Sequence, residues 1–204
     1  MDQTFLDKTY DLTGADATRT HYDAWADTYE TEIAKNGYAT PARVAEALRA
    51  VVSDTDLPTL DFGCGTGLAG LALRLHGFRA IDGTDVSPNM LKHAEAKGFY
   101  HRLWLRHPDD TPLFPKGSYP VIAAVGVIGI GGAPVDTIDS LMRLLPQGGL
   151  LAFSLNDKTL TDATYEQAID DWVDTGAARL LFSETGPHLP TIDMNSTIYI
   201  LEKL

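Results

Sequence analysis

Leu60-Asp61-Phe62-Gly63-Cys64-Gly65-Thr66-Gly67-Leu68-Ala69-Gly70 is the stretch that decides the fold of this 204-residue chain. Thr59 to Phe62 reads as a short central strand, and Leu68, Leu71, Ala72 and Leu75 recur at helical spacing. Between them lie three glycines in alternate positions. Glycine lets the backbone turn sharply and lets a ligand approach it closely. A strand, a glycine turn and a helix start together aim backbone N–H groups and the positive end of a helix dipole at one point.

Outward from this loop, strands and helices alternate. Upstream, Pro41 opens a helix with Thr40 as its cap, and Val44, Leu48, Val51 and Val52 form its apolar stripe. Downstream, Gly77 ends the loop's helix and Phe78 to Thr84 is the second strand. Ser87-Pro88 caps and starts the next helix, closed by Gly98. His101 to Leu105 and Val121 to Val125 are strands three and four. A helix on Val135, Ile138, Leu141, Met142 and Leu145 stops at Pro146. Leu150 to Leu155 is strand five, and a helix carrying Tyr165, Ile169 and Trp172 ends at Gly176. Ala178 to Ser183 and Ser196 to Glu202 are strands with no helix between them, hence antiparallel neighbours, joined by a loop through Gly186-Pro187-His188-Leu189-Pro190. The alternation predicts an α/β fold, a mostly parallel sheet covered on both faces.

Residues 1–40 differ in character, being polar and aromatic. Tyr22, Trp25, Ala26 and Tyr29 share one helical face, so a short amphipathic helix is expected there, as packing or as a lid. The division expected is a lid segment over 1–40 and one domain over 41–204. A length of 204 residues suits a single core that buries roughly 70% of the unfolded surface. The formal charge of -12 argues against nucleic acid and anionic membrane surfaces as partners. One cysteine allows no internal disulfide, and the start lacks the pattern of a secretory signal. The longest apolar run, Val121 to Val135, is broken by glycine and Pro134 and is too short for a membrane span. A cytoplasmic location is the expectation; oligomeric state is not legible. No metal-ligand spacing such as H-E-x-x-H occurs, so no metal is expected.

The loop satisfies two patterns. Gly63, Gly65 and Gly67 give G-x-G-x-G, while Gly65, Gly67 and Gly70 give G-x-G-x-x-G, the dinucleotide fingerprint. Both want an acidic residue at the end of the second strand, where a carboxylate accepts hydrogen bonds from both ribose hydroxyls; Asp85 supplies it. Asp61 separates them. A carboxylate two residues before the first glycine suits a ligand with a cationic amino-acid tail and is ill placed beside a pyrophosphate. Gly83-Thr84-Asp85-Val86-Ser87-Pro88-Asn89-Met90-Leu91 points the same way.

With these residues the chain resembles the class I S-adenosylmethionine-dependent methyltransferases. It is most similar to the Williams–Beuren-region methyltransferase-like proteins, relatives of the ubiquinone-biosynthesis methyltransferases. Tyr22-Asp23-Ala24-Trp25-Ala26-Asp27-Thr28-Tyr29, Gly126-Val127-Ile128 and Leu145-Pro146-Gln147-Gly148-Gly149 match as well. The resemblance implies a Rossmann-like seven-stranded sheet in order 3-2-1-4-5-7-6 with strand seven antiparallel. It implies S-adenosyl-L-methionine as cofactor. Asp61 and the Gly63, Cys64, Gly65 and Gly67 segment would take the methionine tail, Asp85 the ribose, and Val86 and Met90 the adenine. Tyr22 and Tyr29 match a cofactor-covering helix, and Gly126 follows strand four.

Departures from the family pattern also occur. Where relatives carry Gly-Asp after strand three, this chain has Arg106-His107 with Asp109 and Asp110 following, which leaves adenine recognition open between His107 and Asp109. After strand four, a polar pair of the relatives is replaced by Gly129-Ile130. Cys64 has no base partner and reads as a small residue against the cofactor. His21 and Tyr22 are the weak candidates for a general base, and His188 for a substrate contact. The reaction expected is in-line methyl transfer to an unidentified small-molecule acceptor, for which approach geometry matters more than a base. The alternatives are a cofactor-binding protein without methyl transfer and a nicotinamide-linked oxidoreductase.

Overall fold

The computed structural model of the protein describes residues 4–107 and 114–204. The glycine stretch lies between β1 (Thr59–Phe62) and α4 (Leu68–Leu75), and everything else is arranged around that junction. α1 (Phe5–Thr9), α2 (Ala15–Lys35) and α3 (Thr40–Val51) precede it. β2 (Ile81–Asp85), α5 (Pro88–Ala96), β3 (Arg102–Leu105), β4 (Val121–Ala124), α6 (Asp136–Leu144) and β5 (Leu150–Asn156) follow. The chain ends with α7 (Thr164–Asp174), β6 (Ala178–Leu189) and β7 (Met194–Lys203).

The seven strands form one sheet in the order β3-β2-β1-β4-β5-β7-β6. β7 runs antiparallel to both its neighbours, and the other described pairs are parallel. This is the expected topology, and it differs from the 3-2-1-4-5-6 order of a dinucleotide-binding sheet. Because side chains alternate along a strand, each central strand serves two cores. Ile122 and Ala124 of β4, Phe153 of β5 and Leu201 of β7 meet α6 and α7 through Ile138, Leu141, Met142 and Ile169. Val121 and Ala123, Ala152, Ile198 and Ile200 face the opposite way, onto Val44, Leu48, Ala72 and Leu73 of α3 and α4.

Several element ends differ from the sequence reading. Phe78 does not enter the sheet, because its N–H closes the end of α4 on the Leu73 carbonyl, and β2 begins only at Ile81. Thr40 does not cap α3: its side-chain oxygen is buried and lies 2.8 Å from His188 Nδ1 and 3.0 Å from Ser196 Oγ. The segment expected to be a loop through Gly186-Pro187-His188 belongs to β6, which pairs with β7 up to Leu189↔Met194. β6 is an edge strand, so Pro187 costs no ladder bond on its open side. The reversal is a single 3-10 turn, Pro190–Ile192, ending at Asp193 with φ 53°.

The aromatic N-terminal segment forms a 21-residue helix, longer than expected. Trp25 and Ile33 of α2 close over Leu189 and Met194, with Phe5, Tyr10, Tyr22, Tyr29 and Tyr38 packed alongside. Glu32 ties α1 to this cluster, accepting from Trp25 Nε1–H at 2.9 Å and from the Leu6 N–H at 3.2 Å. A polar row fastens α2 to α5. Asp23 accepts from the Ser87 hydroxyl at 2.8 Å and the Asn89 N–H at 3.0 Å, at the start of α5, Asp27 meets His93, and Glu30 meets Lys97. No described helix is long and apolar enough to cross a membrane.

Candidate functional site

A cavity of about 510 Å³ opens where the C-terminal ends of β1, β2 and β4 meet α2. That size is in the range of small-molecule and cofactor sites. Its floor is the glycine turn. Gly63, Gly65 and Gly67 have φ of 68°, 54° and 94°, a left-handed region that side chains disfavour. A Cβ on Gly63 would sit 2.4 Å from Val127, so this glycine also lets β4's loop close on the turn.

Asp85 is fixed by the backbone around it. One carboxylate oxygen accepts from the Gly65 N–H and the other from the Ser87 N–H, each at 2.8 Å. Burial raises its pKa, and the N–H groups of Ser87 and Gly65 pull it back down. Val86 and Met90 continue the same wall, and Tyr22, Tyr29, Cys64 and Gly126 complete it. Burial pushes the Cys64 thiol and the Tyr22 and Tyr29 hydroxyls well up, so all three stay neutral. The structure thus brings Tyr22, Tyr29, Gly63, Cys64, Gly65, Asp85, Val86, Met90 and Gly126 to one surface.

Other sequence candidates lie elsewhere. Gly67 is the N-cap of α4 and is not part of the wall. His21 turns away from the cavity to Thr9, with 3.1 Å between Nε2 and Oγ1, and packs against Phe5 and Trp25, which makes it a pin between α1 and α2. Arg106, not His107, reaches the wall, where its guanidinium lies 5.1 Å above the Phe62 ring. Asp109 and Asp110 lie outside the described residues.

Asp61 is behind the wall rather than in it. It is 1% exposed, one oxygen accepts from the Tyr100 hydroxyl at 2.7 Å, and the other, Oδ1, has no hydrogen-bond partner. Burial drives its pKa up to about 7, against the pull of Tyr100 and the Gly70 N–H. Gly70, the third glycine of the dinucleotide pattern, makes room for this contact: a Cβ there would lie 2.2 Å from the Tyr100 oxygen. A buried carboxylate with an orphaned oxygen beside a glycine turn fits a cationic group better than a pyrophosphate.

Sequence reasoning missed Tyr38, Tyr100 and the helix starts that frame the cavity mouth. Gly14, Ala15 and Thr18 come from the start of α2, and Asp136, Thr137 and Ser140 from α6. Tyr38 sets its hydroxyl over Gly126, where a Cβ would be 2.4 Å from the oxygen. Tyr38 stood in the sequence among the lid aromatics, without a period that distinguished it.

The glycines after β4 have a packing explanation. A Cβ on Gly131 would come within 2.0 Å of the Thr9 carbonyl, and one on Gly129 within 2.3 Å of Thr159 Oγ1. Thr18 Oγ1 also donates to the Gly131 carbonyl at 3.4 Å. The loop lacks polar side chains because the end of α1 and the turn after β5 press directly onto its backbone.

Residues 60–151 match the family described as a methyltransferase domain. The chain is 32% identical over 156 residues to Methyltransferase-like protein 27 of Homo sapiens, covering 75% of this chain and 63% of that protein. It is 37% identical over 106 residues to the ribosomal protein L11 methyltransferase of Escherichia coli O8, covering 49% of this chain and 34% of that enzyme. The chain therefore spans less than two thirds of these relatives. Among solved structures, the [4+2]-cyclase SpnF superposes with a TM-score of 0.66 at 17% identity, over 94% of this chain and 97% of that one.

Proposed function

Because the chain carries a class I S-adenosylmethionine-dependent methyltransferase domain, we propose that it binds S-adenosyl-L-methionine and transfers the methyl group to a small-molecule acceptor. The observation that carries the reading is Asp85, held between the Gly65 and Ser87 N–H groups at the cavity wall. Its carboxylate is set in advance for a ribose diol, with Val86 and Met90 beside it for an apolar ring. The Gly63 to Gly65 turn would receive the amino-acid tail, and Asp61 would neutralise its ammonium through the field behind the turn. Arg106 stands on the wall where the family pattern has its adenine contact; His107 and Asp109 remain the other candidates for that contact.

The cofactor, when bound, supplies a methyl group already activated on a sulfonium. The chain's own task is to hold the acceptor in line and to keep water out. α2 and its tyrosines do this by roofing the cavity, so residues 1–40 act as a lid on the domain over 41–204. Tyr22 and Tyr29 stay protonated and serve as hydrogen-bond donors rather than as bases. His21, engaged with Thr9, takes no part in proton transfer.

A small acceptor follows from the roof and the charge. A chain of net charge -12 has little to offer a polyphosphate. Among the described residues that line the cavity, the helix starts contribute short side chains and Arg106 is the single cation. A cytoplasmic setting suits this reading. A second reading is cofactor binding without methyl transfer. It is favoured by the apolar loop after β4 and by the likeness in fold to a protein named as a cyclase.

Calorimetry and thermal melts with S-adenosylmethionine, S-adenosylhomocysteine and nicotinamide dinucleotides test the proposal. A rise in melting temperature with the first two alone supports it. A rise only with a nicotinamide dinucleotide overturns it. Tight S-adenosylmethionine binding without turnover over a broad acceptor panel would favour the second reading.

A further inference from the structure

Beside the main cavity is a second, smaller one of about 60 Å³, lined by residues of α1 and α2 as well as by the loop after β4. The two share Tyr22, Tyr29, Tyr38, Gly126, Val127 and Gly132 as walls. A volume of this kind holds roughly four waters or a group of a few heavy atoms. Its polar lining consists of hydroxyls and amides together with His188, and no Lys, Arg, Asp or Glu contributes to it among the described residues.

His188 is 8% exposed and its ring meets Tyr38 edge-on at 5.2 Å. Its Nδ1 lies 2.8 Å from Thr40 Oγ1, which lies 3.0 Å from Ser196 Oγ, which accepts from Arg43 Nη1 at 3.2 Å. The direction of this chain follows from counting protons. Arginine only donates, so Ser196 Oγ accepts from it. The Ser196 proton then goes to Thr40, and the Thr40 proton to His188 Nδ1. If His188 instead donated from Nδ1, either the Ser196 proton or the Thr40 proton would be left without an acceptor in this network. A buried donor left unpaired costs about 1–3 kcal/mol.

We propose that Arg43, through Ser196 and Thr40, fixes His188 as the neutral Nε2–H tautomer, making it a hydrogen-bond donor to an uncharged oxygen of the methyl acceptor. His188 is thus a specificity residue and not a base, and Thr40 is its positioning residue. The other charged groups facing His188 agree with neutrality only on balance. Burial lowers its pKa to about 4, the Asp157 carboxylate opposes this, and Arg43 adds to it. The pocket selects for a small carbonyl, amide, ether or hydroxyl head and against ammonium or carboxylate, because no charged side chain lines it among the described residues to pair directly with a bare charge, the Asp157 carboxylate and the Lys158 ammonium over the Tyr10 ring standing outside the lining. That this pocket belongs to the acceptor rests on the function proposed above; the tautomer and the neutrality of the lining do not.

The test is nitrogen-15 NMR of the full chain labelled at histidine. His188 should show a protonated Nε2 and a bare Nδ1 at neutral pH, unchanged down to about pH 5. Thr40→Ser should keep that pattern and Thr40→Val should lose it. An Nδ1–H tautomer, an imidazolium at neutral pH, or a Thr40→Val spectrum identical to wild type overturns the assignment. Acetamide, acetate and acetamidinium, planar probes of one size, then report on the pocket. Acetamide should move the His188 Nε2–H resonance while the two charged probes leave it in place. An equal response to either charged probe, or none to acetamide, overturns the neutral-acceptor claim. Failure of S-adenosylhomocysteine to raise the melting point would remove the methyltransferase reading alone.

Discussion

Asp61→Asn should make the ligand-free protein more stable at neutral pH and weaken its hold on the cofactor. Asp61 is 1% exposed, has one partner in Tyr100 and leaves Oδ1 unpaired. Its pKa stands at about 7 in the folded chain against 3.8 unfolded. Between those values the folded state binds more protons than the unfolded state, so stability falls as pH rises. The contribution is whole below about pH 4 and gone once pH passes through about 7. Between about pH 4.5 and 7.5 the gap widens by about 2.3 logarithmic units, or about 3 kcal/mol at 1.36 kcal/mol each. Asparagine keeps the Tyr100 contact and carries no charge, so it lacks this loss. Urea denaturation of both proteins over that pH range reads the difference, because every other titrating group cancels. The variant should match wild type near pH 4.5 and exceed it by up to about 3 kcal/mol near pH 7.5, or about 6–12 °C in melting temperature. Parallel stability curves would refute the reasoning. Calorimetry on the same pair should show weaker S-adenosylmethionine binding by Asp61→Asn.

Other perturbations bear on the remaining parts of the site. Wild type should release protons on binding S-adenosylmethionine near pH 6.5, because a cationic tail pulls Asp61 back to its ionised form; calorimetry in buffers of different ionisation enthalpy measures this, and Asp61→Asn should abolish it. Asp85→Ala removes the carboxylate proposed to take the ribose and should weaken S-adenosylhomocysteine binding about 10- to 100-fold, from the loss of one or two charge-assisted hydrogen bonds at about 1.5–3 kcal/mol each partly offset by water; unchanged affinity in a folded variant would refute that placement of the ribose. Gly126→Ala places a Cβ 2.4 Å from the Tyr38 oxygen at φ 67°. It should cost about 1–3 kcal/mol in chemical denaturation, with Tyr38→Phe recovering part of it and the backbone strain persisting. Asp23→Ala removes acceptors at the start of α5 and should cost about 1 kcal/mol, with faster hydrogen exchange across Ala15–Lys35 as the sign of a loosened lid.

The glycine stretch, the strand alternation and the antiparallel end were legible because each depends on local pattern. Ser87-Pro88 announced α5, and the Ser87 hydroxyl accepts from the Met90 N–H as such a cap should. What escaped depends on contacts between distant residues. Tyr100 reaches Asp61 across 39 positions of sequence, and only the absence of a side chain at Gly70 hints at it. His188 looked like a loop residue because Gly-Pro usually ends a strand, whereas an edge strand tolerates proline. Thr40 looked like a cap because threonine before proline often is one, yet its hydroxyl serves His188 instead. Asp23 was visible only as part of a motif, and its role needs α5 to be placed against α2.

The contact between Gly131 and the Thr9 carbonyl also bears on how such a protein could be retargeted. Adding polar side chains to the loop after β4 would push α1 off its seat before it introduced new chemistry, since even a methyl group at Gly131 meets backbone. Selectivity for a different acceptor is more accessible from the other side, by varying Leu6, Tyr10 and Tyr38, which line the smaller cavity from the N-terminal segment. The larger cavity is built on the ends of the sheet strands, while the smaller one is lined in large part by the N-terminal segment, so the two can be varied from different parts of the chain.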